Sequence, residues 1–256
     1  MSARTSGGRP SCRSVTGYRV WWTELGLPRP STVRAVAEQD DARGEPGPTE
    51  WEVPGAVGVG PWEGPWPEDE RYDPELLAHG DRRNVVDAYR YWRREAIVAD
   101  LDRTRHPFHV AMENFQHDHN IGTVVRTANS FAAAAVHIVG KRRWNRRGAM
   151  VTDRYQHLHH HPDVASLRAF ADERGLVIVA VDNTPGAHRI ETVELPRECL
   201  LLFGQEGPGL TDEARQAAML VSIAQFGSTR SINAGVAAGI VMHTWIRQHA
   251  QLDAAW

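Results

Sequence analysis

From Phe108 onward the sequence alternates short apolar runs with helical stretches, and this alternation constrains the fold more than any other feature of the chain. The runs PFHVAM, AVHIVG, LVIVAV, CLLLFG and VSIAQF are bounded by turn residues and read as strands buried on both faces. Helical patterns fall between several of them, at residues 121–133, 164–174 (closed by Gly175), 212–219 and, at the end, about 231–251. Strands that alternate with helices predict an α/β domain with a mostly parallel sheet covered by helices on both faces. No internal repeat is visible.

Upstream the composition changes. Residues 1–75 hold ten prolines, ten glycines and a net charge of −5, and are expected to be a poorly ordered acidic extension. Five of the nine tryptophans lie there, and the rings of Trp62 and Trp66 could dock onto the main domain. Residues 76–107 read as a basic amphipathic helical segment. Val85, Val86, Tyr89, Trp92, Ala96, Ile97 and Leu101 recur at helical steps, with Arg90, Arg93 and Arg94 on the other face. Residues 108–256 form the main domain. Two cysteines, Cys12 and Cys199, make neither a disulfide framework nor a four-thiolate zinc site, so a reducing cytoplasm is expected. No apolar run approaches the roughly 20 residues of a membrane span, and the first residues lack the apolar block of an export signal.

Ligands of parallel sheets bind at the carboxyl ends of the strands, which directs attention to three loops. In NFQHDHNIGTVVRTANSF, Asn120 and Gly122 open a helix with the apolar stripe Ile121, Val124, Val125 and Ala128, and Arg126 points off it. An N-capped surface helix with a solvated arginine is the plain alternative. In CLLLFGQEGPGL, Gly204, Gly207 and Gly209 allow a loop to wrap closely on a ligand, although the spacing is not that of a dinucleotide fingerprint. An ordinary strand-to-helix connection, with Glu206 as a solvated or capping carboxylate, fits equally. In SINAGVAAGI, Ser231 and Asn233 are natural caps at a helix start that attracts anions. The small residues that follow suit close packing, either within the chain or between subunits.

Two clusters stand apart. KRRWNRR, residues 141–147, carries Lys141, Arg142, Arg143, Arg146 and Arg147 around Trp144, a combination suited to phosphate contact and base stacking, or to a solvated loop. His157, His159, His160 and His161, with His117 and His119, include zinc-ligating residue types. With no cysteine close by and no H-E-x-x-H pattern, polar or RNA-facing histidines are expected and no metal site is assigned.

Taken together and in this order, the three loops resemble the motifs of the SpoU, or TrmH-like, family of RNA ribose 2′-O-methyltransferases. Asn120, Gly122 and Arg126 match the first motif, LLFGQEGPGL the second and SINAGVAAGI the third, with Ile232 where leucine is usual. The resemblance covers roughly residues 108–249. It implies the SPOUT fold with a C-terminal trefoil knot, a homodimer, and S-adenosylmethionine bound in the knot. By resemblance, the cofactor pocket is formed around Gly204, Gly207, Gly209, Ile223 and Ile232, and the active constellation is Asn120, Arg126, Glu206, Ser231 and Asn233. Methyl transfer needs no metal. Transfer or ribosomal RNA is the implied substrate, with the 141–147 run on its phosphates. Competing readings are a noncatalytic RNA-binding protein that keeps the knotted domain, a knotted enzyme that methylates a base, and a Rossmann-type methyltransferase. Against the last, the glycine-rich turn after a first strand is missing.

Overall fold

The structure is a computed structural model and describes residues 58–113, 117–140, 143–205, 207–216 and 219–254. Seven strands form one sheet in which every pairing is parallel: β1 (His106–Glu113), β2 (Ala133–Val139), β3 (Leu158–His161), β4 (Val177–Val181), β5 (His188–Arg189), β6 (Cys199–Phe203) and β7 (Met219–Ser222). Their spatial order is β3-β2-β1-β6-β4-β7-β5. The late strand β6 is thus inserted between β1 and β4, and β7 between β4 and β5.

Alternation along these strands builds two cores. Phe108, Val110, Met112, Val136, Ile138, Leu201 and Phe203 face one side, against α3 (Asp118–Ser130) and α6 (Ala234–His249). Ala111, Val139, Ile178, Ala180, Leu200 and Leu202 face the other, against α4 (Val164–Glu173) and α5 (Asp212–Arg215). All five residues of β6 are buried, as a central strand covered on both faces requires. Trp245 of α6 is fully buried with its ring 4.5 Å from that of Phe108, and its Nε1 donates to the carbonyls of Pro196 and Arg197.

Several elements differ from the sequence expectation. The amphipathic pattern beyond Asp81 is not one helix. After α1 (Pro74–His79), the helix α2 begins only at Arg94 and runs to Asp102. The cause is Asp81, fully buried, whose carboxylate accepts from Arg83 and from the backbone N–H groups of Arg83 and Tyr91. Burial pushes that carboxyl up, but these donors outweigh it and hold it below the usual carboxylate range. The same clamp keeps residues 81–91 out of a continuous α-helix, with a single 3-10 turn at Asp87–Tyr89 and Tyr91 at φ 63. Contacts also run across residue 75: Val59 bridges Asp81, Tyr72 bridges Trp92, and Trp62 packs edge-on against Tyr72 and Tyr91. Trp66 stays half exposed. Helix α5 stops at Arg215, and α6 begins at Ala234 with Asn233 as its cap, the Asn233 side chain accepting from Val236 N at 3.2 Å.

Candidate active site

The loop after β6 closes on itself. Gln205 N donates to Gly209 O at 2.9 Å and Gly209 N to Gln205 O at 3.0 Å. A Cβ on Gly204 would lie 2.3 Å from Leu210 N, so no larger residue fits there. Gly207 and Gly209 take φ 95 and 78, the left-handed region that glycine occupies without strain. Two carboxylates hold the loop from its flanks. Glu113, buried at the end of β1, accepts from Thr211 N at 3.1 Å, and Asp182, just after β4, accepts from Leu210 N at 3.2 Å. Arg215 of α5 reaches the same Asp182 oxygen at 3.4 Å. Sequence reasoning missed Glu113 and Asp182. Their only signal is position, each being an acidic residue at the carboxyl end of an apolar run.

On the other face of the sheet, α3 and α6 meet near their N-termini. Asn233 Nδ2 donates to Asn120 Oδ1 at 3.1 Å, joining the first and third motifs across 113 residues. Gly122 is pressed on Gly148, where an added Cβ would come within 2.4 Å of backbone. Gly235 sits against the Thr123 side chain. The expected stripe Ile121, Val124, Val125 and Ala128 is fully buried, and Arg126 is exposed beside it. Arg126 lines a cavity of about 480 Å³ together with His119, Thr123, Thr127, Arg147 and Met150. Ser231 is exposed two residues before the cap, while Ile223 packs against the core and Ile232 is half-buried. Glu206 lies outside the described residues.

A second cavity, of about 440 Å³, opens at the carboxyl ends of β4 and β7, lined by Asn183, Arg189, Gln225, Gly227, Thr229 and Arg230. Asn183 Nδ2 donates to Arg230 O at 3.0 Å and ties the two loops together. Arg189 Nη1 donates to Ser222 Oγ at 3.1 Å. The lining side chains form no local sequence motif, because they come from the loop after β4, the edge strand β5 and the loop after β7.

Of the basic run, Arg143, Arg146 and Arg147 are exposed, and Lys141 and Arg142 lie outside the described residues. Trp144 is half-buried against the core under the Arg146 guanidinium, so its ring is partly covered by the chain itself. Arg90 donates to the carbonyls of Arg83 and Asp81, Arg93 to that of Tyr72, and Arg94 pairs with Glu95. The histidines sort differently from their order in the sequence. His109, His137 and His161 form a chain across β1, β2 and β3, with Nδ1 of His109 2.9 Å from Nε2 of His137, and Nδ1 of His137 2.9 Å from Nε2 of His161. His159 stacks on His137, and Phe170 of α4 packs over the group. His157 instead bonds Asp102. Of the two expectations, polar or RNA-facing histidines, His161 fits the first, since it is buried and bonded to His137. Among the described residues no group of three metal-ligating side chains could hold an ion.

An all-parallel α/β sheet that gathers glycine-rich and helix-capping loops at its strand ends defines a ligand-binding domain of the doubly covered type. Residues 107–243 match the SpoU rRNA Methylase family, and the chain belongs to that family. It is 27% identical over 165 residues to a tRNA (guanosine(18)-2′-O)-methyltransferase of Thermus thermophilus, which covers 61% of this chain and 82% of that protein. The enzyme of the same description from Escherichia coli is 26% identical over 160 residues, covering 60% and 70%. Among solved structures, the AdoMet-bound rRNA methyltransferase from Sinorhizobium meliloti superposes with a TM-score of 0.52 at 26% identity, covering 57% of this chain and 59% of that one. The chain thus spans about three-fifths of that solved protein.

Proposed function

We propose that this protein transfers a methyl group from S-adenosylmethionine to a ribose 2′-hydroxyl of transfer or ribosomal RNA. The observation that carries this reading is the bond between Asn120 and Asn233, which joins two of the three family motifs, beside a second-motif loop clamped by Glu113 and Asp182. Two features fit the methyl donor. The Gly204 turn has no room for a Cβ and brings bare backbone to the loop, and Gln225 Oε1 is buried without a hydrogen-bond partner among the described residues, at a cavity of small-molecule size. Gly204, Gly207, Gly209, Ile223 and Ile232 would hold the donor by backbone contacts.

S-adenosylmethionine held there would supply an electrophilic sulfonium methyl in line with the ribose 2′-oxygen, with S-adenosylhomocysteine as the leaving group and water taking the hydroxyl proton. Holding both partners in register contributes on the order of 7 to 11 kcal/mol of barrier reduction for well-aligned reactants. The role of Arg126 is to clamp the adjacent phosphate with its planar donor fork and stabilise the developing alkoxide charge. Asn120 and Asn233 fix the two helix starts against each other, Ser231 orients the nucleoside, and Glu206 shapes the second-motif loop. Lys141, Arg142, Arg143, Arg146 and Arg147 contact phosphates, with Trp144 offering the uncovered part of its ring to a base.

The strand order, with β6 and β7 each inserted between earlier strands, supports a trefoil knot through which the last segment passes. Val236 and Ile240, one turn apart and exposed on α6, support a second copy of this chain as partner. Action on cytoplasmic RNA is part of this reading. No helix among the described residues is long and apolar enough to cross a membrane. Mapping 2′-O-methyl sites in total RNA from cells with and without the gene tests the function. Loss of one ribose methyl in the deletion is expected, and an unchanged map, or loss of a base methyl, refutes it.

A further inference from the structure

The cavity at the ends of β4 and β7 has an unusual lining for a site that serves a cationic methyl donor. Among the described residues it brings together two guanidiniums, Arg189 and Arg230, and no carboxylate. Glu191, an acidic side chain on this edge, is engaged by Ala224 N at 3.0 Å. S-adenosylmethionine has one anionic group, the carboxylate of its amino-acid end, and beside it an ammonium that needs acceptors. The cavity offers both complements. Arg189 and Arg230 are donors suited to a carboxylate. Gln225 Oε1, buried and without a partner among the described residues, is an acceptor. A phosphate of RNA would engage the guanidiniums but would leave the Gln225 oxygen unpaired, which favours a zwitterion over a simple anion.

We propose that this cavity receives the amino-acid end of the methyl donor, with Arg230 and Arg189 on the carboxylate and Gln225 Oε1 accepting from the ammonium. The inference rests on the donor assignment above and adds to it which residues read the amino-acid end. It also gives the sulfonium a reason to lie away from the two arginines, towards the second-motif loop, since like charges repel across a cavity of this size. Arg230 is exposed and its guanidinium makes no hydrogen bond within the described residues, so it is free to close on a ligand. Arg189 is already anchored by Ser222 Oγ and is fixed in place. The two therefore have different tasks: Arg189 forms a preset wall and Arg230 a closing group.

Calorimetric titration of the full chain with three ligands tests this: S-adenosylmethionine, decarboxylated S-adenosylmethionine and 5′-methylthioadenosine, which lacks the amino-acid end. A charge-assisted hydrogen bond predicts that wild-type protein binds the intact donor about tenfold or more tighter than its decarboxylated form. Arg230→Gln should remove most of that ratio by weakening the intact donor while leaving the decarboxylated one within about twofold. Gln225→Leu should weaken both amine-bearing ligands and leave 5′-methylthioadenosine unchanged. Equal affinity of wild-type protein for the intact and decarboxylated donors, or equal weakening of all three ligands by Arg230→Gln, overturns the proposal while the donor assignment stands. If Arg230→Gln leaves donor binding intact and instead weakens RNA in a fluorescence-anisotropy titration, the cavity reads phosphate and the proposal fails. If none of the three ligands binds wild-type protein, both the proposal and the donor assignment fall.

Discussion

Lowering the pH from 7.5 to 5 should destabilise this protein far more than its carboxylates alone would allow, because of the histidine chain beneath α4. Burial, the neighbouring imidazoles of His109, His161 and His159, and Arg174 push His137 down to about 2. Burial, His159 and Arg174 push His109 down to about 4. His159 and His161 move in the same direction, chiefly through burial. Both ring nitrogens of His137 are already engaged at 2.9 Å, so a second proton turns its accepting nitrogen into a donor and forces a neighbouring imidazole to change tautomer. Asp163, near His161, favours charging the cluster, and its effect on His161 is smaller than that of burial.

In the unfolded chain these histidines take up protons near 6.5; in the folded chain His109 and His137 do not until the pH falls well below 5. Their contribution is fully present above about pH 6.5 and is lost as the pH falls towards the folded values. At pH 5 the loss is set by the distance from 6.5, and not by how far below 5 the folded values lie. It amounts to about 2 kcal/mol for each of His109 and His137, and so about 4 kcal/mol for the two. Urea unfolding of the full chain at both pH values, with equal denaturant slopes, measures it. His137→Gln should shrink the pH-dependent loss by about 2 kcal/mol, whatever it does to stability at pH 7.5. A wild-type loss under about 1 kcal/mol, or an unchanged loss in the variant, refutes the reasoning.

Other outcomes follow from the site. Arg126→Lys keeps the charge but not the planar fork, so single-turnover methylation should slow by roughly 10²-fold with donor affinity unchanged; near-normal turnover rejects the clamp role. Gly122→Ala must push the Gly148 backbone away and should cost about 1 to 3 kcal/mol in urea unfolding, a loss that Thr123→Ala, on the same helix, should not reproduce in full. Neutralising Arg143, Arg146 and Arg147 with glutamine should flatten the salt dependence of RNA affinity by roughly one slope unit for each phosphate that these arginines neutralise, with donor binding unaffected.

What was legible in the sequence was whatever a local pattern encodes. Four of the apolar runs became β1, β2, β4 and β6, whereas of VSIAQF only Val221 and Ser222 lie in β7, which starts at Met219, and the rest forms the loop after it; Gly175 ends α4 in the left-handed region at φ 66. Strand β3 went unseen because LHHH has no apolar run. It is held by parallel pairing with β2, and of its histidines His161 bonds His137 while His159 stacks on that ring. The two-residue edge strand β5 is too short to carry a period. At the site, glycines and capping residues were visible because their chemistry is local. Glu113 was not, since the N–H that it holds belongs to Thr211, 98 residues further on.

That separation explains why the glycine loop needs more than its own sequence. Because β6 lies between β1 and β4, the loop that leaves it emerges beside the carboxyl ends of both neighbours, and each provides one carboxylate, Glu113 and Asp182. The sheet order thus sets where the loop sits, and the glycines only let it turn there. Glu113→Ala should therefore leave the loop sequence intact yet misplace it, orphaning Thr211 N at a cost of about 1 to 3 kcal/mol in stability. Donor affinity measured by calorimetry should fall with it. Glu113→Gln keeps an acceptor oxygen at the same reach and should recover most of both quantities. If the alanine variant binds the donor as wild type does, the loop is positioned by its own turns, and the role assigned here to the neighbouring strands is wrong.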